Sequence, residues 1–226
     1  PAKGVAMSLT YAQILHLYRE IGPLVRDAEC LGVFSPSPRT YILILHQGKS
    51  ERYLLFCFDH GFVRFHLVKR CPDHRRHDPF AKALNDSLTG AMLSGFAILN
   101  EDRILELTFD RKKTTLKLIA ELFPRRPNCL LADGAGKVSL SLHPPADPHY
   151  VPPKRPVDIL PEPGFVSCPL MGSLETEEYY SRLESSRDQE KRRLDIARIL
   201  AQSLKKALKG VEERHKILEE CKNYAE

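Results

Sequence analysis

The residues of this chain best suited to chemistry are cationic. Arg103 follows Asp102 in the run Asn100-Glu101-Asp102-Arg103-Ile104. A guanidinium offers a planar fork of donors to a phosphate or a base edge. A neighbouring carboxylate can orient that fork, or accept from a ribose hydroxyl or an amino group. Arg125 and Arg126, with Asn128 close behind, supply a second positive spot, and Arg39 and Arg64 are isolated candidates of the same kind. Each has a plainer alternative: a turn ion pair opening a strand for Asp102 and Arg103, a solvated loop for Arg125 and Arg126, and solvent-facing strand positions for Arg39 and Arg64. His66, two residues from Arg64, reads as a half-buried, hydrogen-bonded histidine.

Metal chemistry has one candidate, the Cys71-x₂-His74-x₂-His77 spacing with Asp73 and Asp78 beside it. A four-ligand zinc site needs a second ligand pair elsewhere, and none is evident, so no metal is expected. The surrounding Lys69, Arg70, Arg75 and Arg76 suit a solvated basic loop or phosphate contacts. There is no phosphate loop, no nucleophile elbow and no H-E-x-x-H helix, so neither an enzyme nor a cofactor is expected.

These residues are carried by a pattern of one helix, then many short strands. Ser8 or Thr10 can cap a helix with apolar positions Leu9, Ile14, Leu17, Tyr18 and Ile21, which Gly22-Pro23 should stop. Ser35-Pro36-Ser37-Pro38 reads as a turn. Strands are expected at 40–45, 53–58, 62–67, 96–99, 104–109, 115–122, 128–132 and 137–142. A second helix opens at Pro79 and places Phe80, Ala83, Leu84, Leu88 and Met92 on its apolar face. Hairpin-length connections imply a mostly antiparallel sheet with flanking helices, an α+β fold. Residues 143–172 are rich in proline, which suits a linker or an extended wrap.

The tail carries a 3.5-residue period: Tyr180, Leu183, Arg187, Glu190, Leu194, Ala197, Ala201, Leu204, Leu208, Val211, His215 and Leu218. That is a coiled-coil seam, on a helix of about 50 residues and roughly 75 Å. Its seam needs a partner, so either self-association or a returning helix beyond Glu226 is expected, with the second favoured. The charge surplus lies outside this tail. Residues 174–226 hold 12 Lys/Arg and 12 Asp/Glu, whereas the whole chain has a net charge of +5. A basic globular half suits nucleic acid or another acidic surface. The six scattered cysteines suit free thiols in a reducing compartment. No apolar run is long enough to span a bilayer and the start has no signal-peptide layout, so a cytoplasmic location without membrane contact is expected. Residues 1–6, ahead of Met7, are read as lying before the native start.

Several segments together resemble the N-terminal domain of the NFACT family, which includes bacterial RqcH, the nuclear export mediator factor NEMF and proteins known as fibronectin-binding. The Asp102-Arg103 pair at a strand head, preceded by the helix near Phe80, resembles the family hallmark. Arg39-Thr40-Tyr41-Ile42-Leu43 is similar to its first core strand, and Arg64-Phe65-His66-Leu67 to its Arg-x-His-Leu stretch. Glu121-Leu122-Phe123-Pro124-Arg125-Arg126-Pro127-Asn128 and Tyr150-Val151-Pro152-Pro153 resemble two later segments. The domain would span 7–160, followed by a linker at 161–172 and the arm at 173–226.

The resemblance implies an RNA-binding module of a ribosome-associated quality-control factor. Its partners would be tRNA and the stalled large ribosomal subunit, with peptidyl transfer left to the ribosome. RNA contacts would fall to Asp102, Arg103, Arg125, Arg126 and Asn128, with Arg39 and Arg64. Three departures bear on tRNA selection and tail synthesis. Thr10 stands where the family has an early Asp, Pro124 and Arg126 replace Gly and His, and 161–172 is too short for the usual helix-hairpin-helix module. Two alternative functions are a surface fibronectin-binding adhesin and a DNA glycosylase. The second rests on the similarity of the NFACT fold to the formamidopyrimidine-DNA glycosylases, whose nucleophile is an N-terminal proline. Pro1 here precedes Met7 and is followed by Ala2-Lys3 in place of the Glu, which argues against it.

Overall fold

The computed structural model describes residues 8–71, 78–145, 147–153 and 171–223. The chain divides into two compact units, 1–177 and 178–226. The reading of residues 1–6, the histidines of the Cys71 trio, and most of the proline-rich linker fall outside the described residues.

In the first unit α1 (Tyr11–Val25) is capped by Thr10, whose hydroxyl accepts from Gln13 N at 3.2 Å. Ile14, Leu17, Ile21 and Val25 are fully buried along one face, each worth roughly 1.5–3 kcal/mol of transfer free energy. The helix does not stop at Gly22-Pro23 as expected. Pro23 lies inside its last turn, and the chain leaves only at Arg26, whose N–H closes on Gly22 O at 3.1 Å. A proline that near the end forfeits a single intrahelical bond, and the buried Val25 side chain favours completing the turn.

Nine strands follow: β1 (Glu29–Ser37), β2 (Thr40–Gln47), β3 (Ser50–Cys57), β4 (Arg64–Val68), β5 (Met92–Ile98), β6 (Ile104–Arg111), β7 (Thr114–Glu121), β8 (Asn128–Asp133) and β9 (Val138–Ser141). They form one antiparallel sheet in the order β4-β3-β2-β1-β5-β6-β7-β8-β9, and α2 (Pro79–Leu88) enters between β4 and β5. β1 is an addition to the sequence reading. It runs straight through Ser35-Pro36, where the pairing register shifts between Phe34 and Ser37, so the proline sits at an irregularity that needs no donor. The turn comes later, at Arg39, with φ of 58°. β5 starts at Met92 rather than Phe96, because α2 ends at Leu88 and Gly90, at φ of 77°, turns the chain back.

The sheet folds over on itself. β4 and β5 stand four positions apart in the sheet, about 19 Å if it were flat. Yet Phe65 of β4 and Phe96 of β5 meet edge to face with ring centroids 6.4 Å apart. The hinge is the thin β1–β5 seam, where Glu29 and Met92 are the register pair. α1 packs against β2, β4 and β5, whereas α2 packs against β1 and β9, so a helix fills each side of the folded sheet. Tyr41, Leu43, Leu54, Phe56, Phe65 and Phe109 are among the buried core residues, and a smaller apolar cluster lies on each half: Phe34, Ile42, Leu55 and Cys57 on one, Ile104, Ile119, Leu130 and Ala132 on the other.

Both sheet edges are covered. Leu67 N of β4 donates to Ser173 Oγ at 3.3 Å, and Lys69 N to the Glu177 carboxylate at 3.2 Å. At the other edge Val138 N donates to Pro148 O at 2.8 Å. Such covering removes the template that an open edge offers to another chain.

α3 (Ser173–Asn223) is a 51-residue helix. Along it Leu194, Ile196, Ile199, Leu200, Leu204, Leu208 and Val211 are exposed in the single chain. Ile196, Ile199 and Leu200 widen the apolar face beyond the narrow seam expected from the 3.5-residue period.

Candidate nucleic-acid interface

The β5–β6 hairpin carries Asp102 and Arg103 at its head. Asn100 and Glu101 both adopt left-handed backbone, with φ of 52° and 50°, and Asp102 N returns to Leu99 O at 3.1 Å. Asn tolerates that region; Glu101 does so at a cost of roughly 1–2 kcal/mol. Strain of this sort persists only where surrounding bonds over-determine it, and here they do. Leu99 N donates to Ile104 O at 2.9 Å, and Asn100 Nδ2 to Pro153 O at 3.0 Å.

Asp102 Oδ1 accepts from Arg103 N at 2.7 Å and lies 4.0 Å from Arg103 Nε. The guanidinium also stands over the Phe123 ring, 5.6 Å from its centroid. A carboxylate on one side and an aromatic face on the other hold the fork partly exposed, and a cation–π interaction of this kind limits its rotamers.

The β7–β8 loop joins this head directly. Leu122 N donates to Arg103 O at 2.8 Å, and the turn that follows closes through Arg126 N to Phe123 O at 3.2 Å. Arg125 and Arg126 are exposed on that turn. Asn128 opens β8 opposite Glu121. Its side chain is largely committed to the backbone: Oδ1 accepts from Cys129 N at 3.0 Å and His143 N at 2.9 Å, and Nδ2 donates to His143 O at 3.1 Å. Asn128 thus shapes the loop. Glu121 accepts from the Tyr150 hydroxyl at 3.1 Å; burial raises its carboxyl above the usual range, against the opposing pull of that bond and of Arg126.

The structure therefore brings Asp102, Arg103, Arg125, Arg126 and Asn128 to neighbouring turns of one half of the sheet. Arg39 belongs to a different element, the β1–β2 turn. Arg64 corrects the expectation of a solvent-facing strand residue: it is 3% exposed, donates from Nη1 to Phe62 O at 3.1 Å and from Nε to His66 Nε2 at 3.4 Å. Because β4 packs under the start of α3 and against α1, its guanidinium is turned into protein. Among the described residues no group of three His, Cys, Asp or Glu could hold a metal ion. Sequence reasoning passed over Phe123, Glu121, Tyr150 and Asn100. Phe123 and Tyr150 lie inside the family-like segments, but only the folded sheet shows what their side chains touch.

His66 is buried beside Arg64. An arginine can only donate, so Nε2 is the acceptor and Nδ1 carries the proton, donating to Leu67 O at 3.0 Å. Burial, then the Arg64 charge, push its pKa from 6.5 down to about 3. The unfolded chain takes up a proton near pH 6.5 and the folded one resists until about 3, so this residue's contribution is present above 6.5 and is lost as the pH falls toward 3. Thermal melts across that window should drop more steeply for the wild type than for His66→Gln. Parallel pH profiles would show that another group governs the acid transition.

The sequence profile described as NFACT N-terminal and middle domains matches residues 10–146, more than half of the chain. The chain belongs to the NFACT family. Among solved structures, the N-terminal part of the fibronectin/fibrinogen-binding protein of Streptococcus suis superposes with a TM-score of 0.56 at 20% identity, covering 59% of this chain and 53% of that one. The fibrinogen-binding protein of Staphylococcus aureus gives 0.53 at 17%, covering 60% and 50%. The N-terminal domain of the fibronectin-binding protein PavA of Streptococcus pneumoniae gives 0.57 at 19%, covering 80% and 82%. This chain spans about half the length of the first two. Likeness at these identities establishes the shared fold. A comparison with curated protein sequences gives no match. In this NFACT domain Thr10 caps α1, a task that Asp performs as well.

Proposed function

We propose that this chain is the RNA-binding module of a ribosome-associated quality-control factor that binds tRNA and stalled large ribosomal subunits, that it acts in the cytoplasm, and that it makes no bond itself. The observation that carries this reading is the strained β5–β6 head, which holds Arg103 between Asp102 and Phe123 while the adjoining turn exposes Arg125 and Arg126. Three guanidinium groups on adjacent turns can grip a phosphate run, and the partly exposed Asp102 can accept from a ribose hydroxyl. No helix among the described residues is long and apolar enough to cross a membrane.

Arg125→Glu with Arg126→Glu should weaken tRNA binding and lower the slope of log affinity against log salt by about 2, one unit for each phosphate no longer neutralised. Binding titrations at several salt concentrations measure this. An unchanged slope would remove both arginines from the interface. The apolar face of α3 is read as a helix-pairing surface, so light scattering should report association that disappears when residues 178–226 are removed.

The names of the solved relatives favour a second reading, a fibronectin-binding surface. Immobilised fibronectin separates the two: capture of wild type and of the arginine variant alike, without RNA affinity in either, would replace the ribosomal reading.

A further inference from the structure

Beyond β9 the chain returns along the sheet edge. Val138 N donates to Pro148 O and Tyr150 N to Gly136 O, each at 2.8 Å, with Lys137 and His149 as a bridge pair. The chain then crosses toward the β5–β6 head. Tyr150, with Phe123 and Leu99, packs against the apolar cluster of Ile104, Ile119, Leu130 and Ala132. Three residues on, Pro153 O accepts from Asn100 Nδ2 at 3.0 Å. β9 and β6 stand three places apart in the sheet order, about 14 Å. Five residue steps reach at most about 18 Å, so little slack remains between Pro148 and Pro153. Pro152 and Pro153 have fixed φ, which stiffens the far half of the crossing.

This segment meets both turns of the candidate interface. The Tyr150 hydroxyl donates to Glu121 Oε1 at 3.1 Å. Burial, then the Glu121 charge, push the phenol's pKa up, so the hydroxyl stays a donor. Glu121 ends β7, and its carboxylate feels the charge of Arg126, which favours the ionised form. The next residue, Leu122, donates to Arg103 O, and Phe123 then supplies the ring under the Arg103 guanidinium. At the other end Asn100 belongs to the left-handed pair that turns the hairpin head. Covering a sheet edge needs only the pairing of 136–138 with 148–150. A hydroxyl carried to a buried carboxylate and a proline carbonyl set on a strained turn go beyond that need.

We infer that residues 148–153 are a positioning strap for the RNA interface, in which Tyr150 acts through Glu121 to set Arg126, and Pro153 acts through Asn100 to set the Arg103 head. The inference rests on those two turns being the RNA site proposed above. Neither Tyr150 nor Pro153 needs to touch RNA. A free arginine gives up rotamer freedom on meeting a phosphate, and one drawn to a carboxylate that is itself pinned has less to give up.

The test measures tRNA affinity and thermal melting of the whole chain for Tyr150→Phe, Arg126→Gln and the two combined. Tyr150→Phe removes one hydroxyl and no formal charge, so any effect on affinity is one of placement. It should weaken binding about three- to tenfold, the cost of one side chain left for the ligand to order. In the Arg126→Gln background the same change should alter affinity by less than about twofold, while melting falls equally in both backgrounds. Asn100→Gly keeps the left-handed backbone and cuts the tie to Pro153, and it should be coupled to Arg103→Gln in the same way. Equal affinity losses in both backgrounds, or wild-type affinity in Tyr150→Phe and Asn100→Gly, overturn the strap and leave the interface standing. Failure of the wild type to bind tRNA, or wild-type affinity in Arg126→Gln and Arg103→Gln, overturns the interface itself and the strap with it.

Discussion

Alanine at Asp102 or Arg103 is expected to abolish recruitment of tRNA to stalled large subunits while lowering the melting temperature by only a few degrees. The small stability effect follows from geometry. Asp102 and Arg103 are 4.0 Å apart at Nε and partly exposed, and such a pair contributes at most about 1 kcal/mol. Loss of the 2.7 Å bond from Arg103 N adds about 0.5–1.5 kcal/mol for Asp102→Ala. For a chain of this size each kcal/mol shifts the midpoint by about 2–4 °C. The hairpin keeps its other ties, from Leu99 to Ile104 and from Asn100 to Pro153. The large functional effect follows from what a guanidinium held over Phe123 supplies. An oriented fork loses little entropy on meeting a phosphate. Pull-down of tRNA with stalled subunits and a thermal melt are read together. Normal recruitment by both variants in stably folded protein would remove the assignment. A collapse in melting would show instead that the pair holds the hairpin.

The largest stability effect is expected at Gln13, a residue with no part in the interface. It is fully buried on α1, and its amide grips the backbone just ahead of α3: Met171 N donates to Oε1 at 2.9 Å, and Nε2 donates to Met171 O. One face along, Glu20 accepts from Ser173 N at 3.0 Å and so caps the new helix from outside. Gln13→Leu preserves volume but leaves the part-buried N–H and C=O of Met171 without these partners. At about 1–3 kcal/mol each, the loss is roughly 2–6 kcal/mol, or about 4–24 °C. Gln13→Glu, which keeps the acceptor and loses the donor, should fall between. A shift of under about 2 °C for Gln13→Leu would mean that solvent satisfies Met171, so that the clamp contributes nothing.

Periodicity and turn chemistry are local, and where they decide structure the sequence was sufficient. Apolar spacing in α1, the short β-branched and aromatic runs of β2, β3, β6, β7 and β8, and the 3.5-residue pattern of α3 all arise within a few residues of one another. The family was legible too, because its motifs lie at strand heads and turns, where residue type answers to local geometry. β1 escaped because Pro36 is a turn signal in isolation and a tolerated irregularity once β2 pairs beside it. The fate of Arg64 escaped for a related reason: alternation along β4 places it on a face, but only the packing of α1 and the start of α3 makes that face an interior. The grip of Gln13 on Met171 joins residues 158 positions apart, and no pattern within either segment announces it. The same holds for the gathering of Arg103, Phe123 and Arg126. Sequence supplied the donors, and the pairing of β6 with β7 set them side by side, because a register between strands is a long-range agreement that neither strand encodes alone.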